Sequence, residues 1–343
     1  MIMAGSGWCE GRDSNPHSLR RWNLNPVRLP IPPPSRVTLQ PLAPFYPIHP
    51  YTDSRAPCCG SSPIPVPVDH YENFPVASWL LPRPLREPVA AIYAFARSAD
   101  DIADEGELSD AERCRQLAVY AQELEQIGAG MASQQPLFQR LQRNIVLHQL
   151  PLAPFADLLD AFGQDIVKKR YADFAELLDY CRRSANPVGR LLLRLWQADS
   201  AENLRRSDAI CTALQLINHW QDVAGDLARG RIYLPQEDMQ RFGVDAGQLT
   251  SATQDAKRDA TDANWRALLA FEVARARTLM LSGAALGSCL PGRIGLELRL
   301  IIAGGLRILE KIEAVDYDVF RRRPVLRALD WPLLLWRAAM TPR

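Results

Sequence analysis

The sequence has no CxxC pair, no Cys/His metal spacing, no glycine-rich phosphate loop and no dinucleotide fingerprint. The first two absences remove zinc-finger and thioredoxin-like readings, and the others remove P-loop and nicotinamide-binding ones. Its seven cysteines include the adjacent Cys58 and Cys59 and leave one over from any pairing. That usage fits a reducing compartment and mostly buried thiols. No apolar run reaches the roughly 18 residues of a spanning helix, and no basic-then-apolar secretory signal opens the chain. A soluble or surface-bound protein of the cytoplasm is expected. Charge of one sign is missing too: 40 Lys plus Arg stand against 39 Asp plus Glu, so nothing advertises a nucleic-acid partner. There is no βαβ alternation and no internal repeat.

What is present divides into three parts. Residues 1–68 hold 14 of the 27 prolines; proline removes amide donors and disfavours helix in its predecessor, so an extended or disordered leader is expected. One reading of this contrast is that translation begins near His70. Residues 69–320 carry apolar residues at three- and four-residue spacing, which predicts helices over 86–105, 111–127, 136–150, 154–170, 174–197 and 207–230, with more in 255–285 and 293–318. The fold class is all-α, in a single multi-helix domain. Residues 321–343 form a basic and apolar tail.

Two acidic stripes carry the chemistry. In Ser98–Glu107, the residues Asp100, Asp101, Asp104, Glu105 and Glu107 crowd a helix C-terminus, where the macrodipole disfavours negative charge. Asp100 and Asp104 lie one turn apart, and the same face runs back through Arg97 to Tyr93. A lone DxxxD is ordinarily a solvated helix end. The second stripe changes that balance. Gln215, Asn218, Asp222 and Asp226 form one polar line on a segment otherwise made of Leu214, Leu216, Ile217, Trp220 and Val223. A buried line of carboxylates and amides is costly unless paired or metal-bound. Two such lines invite a shared cation. The donors are all oxygen, which selects Mg²⁺ or Mn²⁺ over zinc, and Mg²⁺ commonly completes its shell with substrate phosphates. His219 points off the line and reads as a packed or hydrogen-bonded histidine.

These residues resemble a known family. "YAFARSADDIAD" and "LQLINHWQDVAGDLARGRIYLP", with "YADFAELLDYCRRSANPVG" between them, are similar to the squalene and phytoene synthases, which have the all-α isoprenoid synthase fold around a central cavity. The resemblance covers about residues 70–330. It implies diphosphate-binding metal ligands at Asp100, Asp104, Asn218, Asp222 and Asp226, and substrate-facing residues at Phe74, Tyr93, Arg97, Gln215, Arg231 and Tyr233. Tyr180 matches a cavity tyrosine. "HYENFPVASWLLP" and "YCRRSANPVG" look most like the bacterial hydroxysqualene synthases of hopanoid biosynthesis. Gln221 stands where relatives carry Arg, and Gly225 where they carry an acid.

The subgroup's reaction implies presqualene diphosphate as substrate. A Mg²⁺-assisted departure of diphosphate, rearrangement of the cation and capture by water give hydroxysqualene without any nicotinamide. In this reading the aspartates hold metal and do not act as an acid/base pair. Arg97 and Arg231 either bind diphosphate or bridge to the aspartates. Phe74, Tyr93, Phe95, Phe162, Tyr180 and Trp220 are candidate walls, each also explicable as core, and Asn186 lies in a segment that faces the cavity in relatives. A squalene, dehydrosqualene or phytoene synthase, condensing two prenyl diphosphates, uses the same motifs and remains the alternative. A non-catalytic docking module would need two buried polar lines without a cation, and a helical phosphohydrolase would mix His with Asp. The tail, with Arg321–Arg323, Trp331 and Trp336, fits either a helix packed on the domain or peripheral contact with the inner face of a membrane. Transient contact with other squalene-pathway enzymes is the remaining partner expectation.

Overall fold

The structure, a computed structural model, describes residues 81–249 and 263–340. The expected leader 1–68 and Phe74 lie outside the described residues. The elements are α1 Arg83–Asp104, α2 Asp110–Gly128, α3 Pro136–His148, α4 Ala153–Val167, α5 Phe174–Ser184, α6 Asn186–Leu195, α7 Ala201–Gln221, α8 Val223–Ala228, α9 Gln236–Arg241, α10 Ala263–Gly283, α11 Leu286–Cys289, α12 Gly292–Ala314, a 3₁₀ turn Ala328–Asp330 and α13 Trp331–Met340. No strand occurs among the described residues, so the all-α class holds.

Local chemistry sets the starts and stops. Ser109, Asp173 and Ser200 cap α2, α5 and α7 by accepting from the amides of Glu112, Glu176 and Asn203, a device worth about 1 kcal/mol each. Two expected continuous helices are broken. The stretch 174–197 divides at Ala185, because Pro187 in the first turn of α6 has no N–H to extend the ladder. The stretch 207–230 divides at Asp222, whose φ of −107° and ψ of 14° end α7 and start α8.

Two apolar clusters result. One joins α1 to α4 and α6, with Phe95 edge-on to Phe138 and Phe155. The other surrounds α7, where Leu216, Ile217 and Trp220 meet α10 and α12. At Gly283 α10 comes close to α7: a Cβ there would lie 2.4 Å from the Arg206 carbonyl oxygen. Phe95, Phe162 and Trp220 are thus core residues and do not line the site described below. The thiols are less buried than expected: of the four described, Cys181 is buried, Cys211 half-buried, and Cys114 and Cys289 exposed. The tail packs on α12 through Leu334 and Ala338, and Asp330 accepts from Arg307 and pairs with Lys311. Among the described residues no helix is long and apolar enough to cross a membrane.

Away from the site, α9 and α10 bury an acidic pair. Glu272 is fully buried, Asp238 nearly so, and Arg275 bridges them while lying over the rings of Phe174 and Phe271. Burial pushes the Glu272 carboxyl up to about 8, against the pull of Arg275. A carboxyl raised on folding contributes stability that is full below its ordinary value near 4.5 and is lost as pH rises through about 8. Glu272→Gln keeps a donor toward Asp238 without that slope. Its unfolding free energy, measured by urea denaturation, should gain on the parent's between pH 5 and pH 8 by roughly 2–4 kcal/mol. An equal difference at both pH values would show that Glu272 ionises normally.

Candidate active site

The second acidic line survives the break in its helix. At Asp222 the chain still donates its amide to Asn218 O (2.9 Å), and Asp226 N to Asp222 O (2.9 Å), so Gln215, Asn218, Asp222 and Asp226 face one pocket. Gly230, at φ +74°, then reverses the chain in the left-handed region that glycine adopts without strain. The following segment is pinned beside 169–172 by Ile232 N donating to Lys169 O (3.0 Å) and Gln236 N to Tyr171 O (2.9 Å). This turn carries Arg229, Arg231 and Tyr233 back across the pocket. Asp104 arrives from the end of α1, Asp165 from α4 and Tyr180 from α5, completing the lining together with His219.

The rim is ionic. Asp104 accepts from Arg229 Nη1 (2.9 Å) and Arg231 Nη2 (2.8 Å) on its two oxygens. Arg323, from the C-terminal segment, grips Asp222 through Nε and Nη2, the latter at 3.1 Å. The floor is phenolic. Tyr180 Oη (2.7 Å) and Tyr233 Oη (3.0 Å) both donate to buried Asp165, and Tyr171 stacks on Tyr233 with ring centres 5.6 Å apart. Burial lifts Asp165 to about 6, opposed by Arg231. Asp226 is pushed well above the usual carboxylate range by burial and by neighbouring Asp222. His219, 4.0 Å from Asp226, supplies no compensating charge, since burial and Arg231 drive it down to about 3.

The donor set fits a divalent cation. Four carboxylates line the pocket against the guanidinium groups of Arg229 and Arg231, and the Gln215 Oε1 and Arg231 Nε atoms are buried without a hydrogen-bond partner. Buried acidic charge in excess, with orphaned polar atoms beside it, calls for a cation and an oxygen-rich ligand. Among the described residues no three side chains are gathered into a coordination cage, because guanidinium groups sit on Asp104 and Asp222.

Of the residues expected from the sequence, Asp104, Tyr180, Gln215, Asn218, Asp222, Asp226, Arg231 and Tyr233 line the pocket. Asp100 does not: it is buried on α1 with Arg97 Nη1 3.9 Å away, and Arg97 itself bridges to Asp101 (2.7 Å) and Glu105 (3.0 Å). Tyr93 packs against the α1–α4 core. Asn186 is buried and accepts from Thr212 Oγ1 (3.0 Å). Gln221 turns away from the pocket and donates to Pro324 O. His219 was expected to point off the acidic line, and here it enters the pocket. It lies four residues beyond Gln215, hence on that residue's face, and stacks on Tyr233 at 3.7 Å. Asp165, Arg229 and Arg323 were not anticipated. Asp165 alone had a readable signal: a carboxylate on the apolar face of α4, between Phe162 and Ile166.

An all-helical chain that sets carboxylates and guanidinium groups over an aromatic floor has the makeup of a helical prenyl diphosphate enzyme. The squalene/phytoene synthase family model matches residues 68–330, and the chain belongs to that family. It is 34% identical over 247 residues to a hydroxysqualene synthase of Rhodopseudomonas palustris, covering 71% of this chain and 80% of that one. It is 33% identical over 259 residues to a hydroxysqualene synthase of Sinorhizobium fredii, covering 75% and 85%. Among solved structures, a squalene synthase from Alicyclobacillus acidocaldarius superposes with a TM-score of 0.65 at 40% identity, covering 72% of this chain and 90% of its own.

Proposed function

We propose that this protein converts presqualene diphosphate to hydroxysqualene with release of diphosphate. The observation that carries the reading is the meeting of Asp104, Asn218, Asp222 and Asp226 with Arg229 and Arg231 directly above the Asp165–Tyr180–Tyr233 cluster. The relatives named hydroxysqualene synthase support this reaction within the family. Mg²⁺ on Asp104, Asn218, Asp222 and Asp226, with Asp100 at the same end of α1, would supply Lewis-acid support for the departing diphosphate, and Mn²⁺ shares the oxygen preference.

The chain's own residues do the rest. Arg229 and Arg231 present guanidinium groups that match phosphate oxygens as well as carboxylates. Asp165 accepts hydrogen bonds from both tyrosine hydroxyls and so fixes the two rings; Tyr233 is stacked with His219 and Tyr171, so Tyr180 is the ring that faces a developing carbocation. The floor residues Asp165, Tyr180 and Tyr233 are themselves buried, so a cation formed against them meets less water than one at the rim. No dinucleotide fingerprint accompanies this site, and the reaction as written needs no reductant.

Purified protein incubated with Mg²⁺ and presqualene diphosphate, without nicotinamide, should yield hydroxysqualene by mass spectrometry. Turnover only after farnesyl diphosphate is supplied would make it a condensing synthase.

A further inference from the structure

The outward face of α13 is apolar along its whole length. Leu334 and Ala338 turn inward onto α12, and Arg337 is drawn to Glu310 at 2.7 Å. The positions left facing solvent are Pro332, Leu335, Trp336, Ala339 and Met340, spaced three, one, three and one apart, as one side of a helix requires. Leu329, in the preceding turn, is 92% exposed and Trp336 61%. A surface helix that has already buried one side ordinarily carries polar groups on the other. Here it does not.

The charge of the segment that carries this face is one-sided. Residues 321–343 contain six arginines and one acidic residue, Asp330, in a chain whose overall charge is +1. Asp330 is buried, and Arg307 and Lys311 neutralise it. Arg321, Arg322 and Arg327 are exposed, Arg321 with the Asp318 carboxylate 3.8 Å away. A short helix with Trp and Leu outward, in a segment that carries exposed arginines and whose one acid is buried, has the chemistry of a segment lying in the plane of a lipid interface. A protein partner would need acidic and apolar groups in matching register; a bilayer with anionic headgroups offers both over its whole surface.

We propose that the outward face of α13 docks this protein on an anionic membrane surface. Leu329, Leu335, Trp336 and Met340 enter the boundary between headgroups and acyl chains, while Arg321, Arg322 and Arg327 meet lipid phosphates. The proposal does not rest on the assignment of the reaction, although an apolar prenyl substrate would be delivered from the same phase.

Flotation of the full chain with vesicles of phosphatidylcholine alone, and of phosphatidylcholine with about one third phosphatidylglycerol, tests it. Binding should require the anionic lipid, weaken as salt rises, and fall at least tenfold in Leu335→Ser/Trp336→Ser. Arg321→Ser/Arg322→Ser/Arg327→Ser should lose the preference for anionic lipid. Circular dichroism and presqualene diphosphate turnover in detergent should stay at parent levels in Leu335→Ser/Trp336→Ser, whose side chains lie on the surface and do not line the pocket. Flotation of Leu335→Ser/Trp336→Ser equal to the parent overturns the proposal. So does a parent that binds neither vesicle, or a concentration-dependent dimer that dissociates in that variant, which would show a second copy covering the face.

Discussion

Asp226→Asn is expected to cut turnover about 10³-fold or more while leaving the metal-free protein as stable as the parent, or more so. Lewis-acid stabilisation of a leaving group is worth several kcal/mol, and each 1.36 kcal/mol is tenfold in rate. The stability half of the expectation comes from the geometry. Asp226 is buried, its carboxyl is driven well up by burial and by Asp222, and the nearby His219 is held neutral. Asparagine has no proton to lose, so the substitution removes the cost that burial and Asp222 impose on ionising this carboxyl. Asp222→Ala should match the loss of rate but not the gain, since it strips Arg323 of its bidentate partner. Steady-state turnover and urea denaturation with and without Mg²⁺ separate the two effects. Mg²⁺ should stabilise the parent and fail to stabilise Asp226→Asn. A variant that is destabilised without metal would show that Asp226 is a structural carboxylate.

The balance between what the sequence revealed and what it hid follows from how far each residue's partners lie along the chain. Asp222 and Asp226 announce themselves because four-residue spacing places them on one helix face, and Gln215 and Asn218 extend that face. The helix break at Asp222 was not legible, because it removes no apolar position from the pattern and contains neither Pro nor Gly. Asp100 illustrates the limit of spacing: it shares a face with Asp104, yet Arg97, one turn before it, draws near and Asp104 alone reaches the pocket. In the sequence Arg323 is one more charge of a basic tail, since its tie to Asp222 spans 101 residues. Asp165 stood in plain view on an apolar helix face, but its meaning comes from two tyrosines 15 and 68 residues away. The tail's composition was readable, whereas its outward direction appears only once Leu334 and Ala338 are seen to take the inward one.

Arg231→Met is expected to destabilise the metal-free protein by about 3–5 kcal/mol, the usual result of removing one partner from a buried ionic network. Arg231 is itself buried, bonds Asp104 at 2.8 Å, and also holds down the carboxyls of Asp165 and Asp226. Methionine fills much of its volume, so the loss reports charge more than packing. Arg229 keeps its hold on the second oxygen of Asp104, which limits the damage there; Asp165 has only phenol hydroxyls left and should titrate above its present value of about 6. Because the missing charge is positive and the exposed need is acidic, Mg²⁺ should stabilise Arg231→Met by more than it stabilises the parent. Urea denaturation in EDTA and in saturating Mg²⁺ measures that difference. A loss of the same size in both conditions would mean that Arg231 and the cation serve separate sets of carboxylates, and that the pocket holds its acids in two independent groups rather than one.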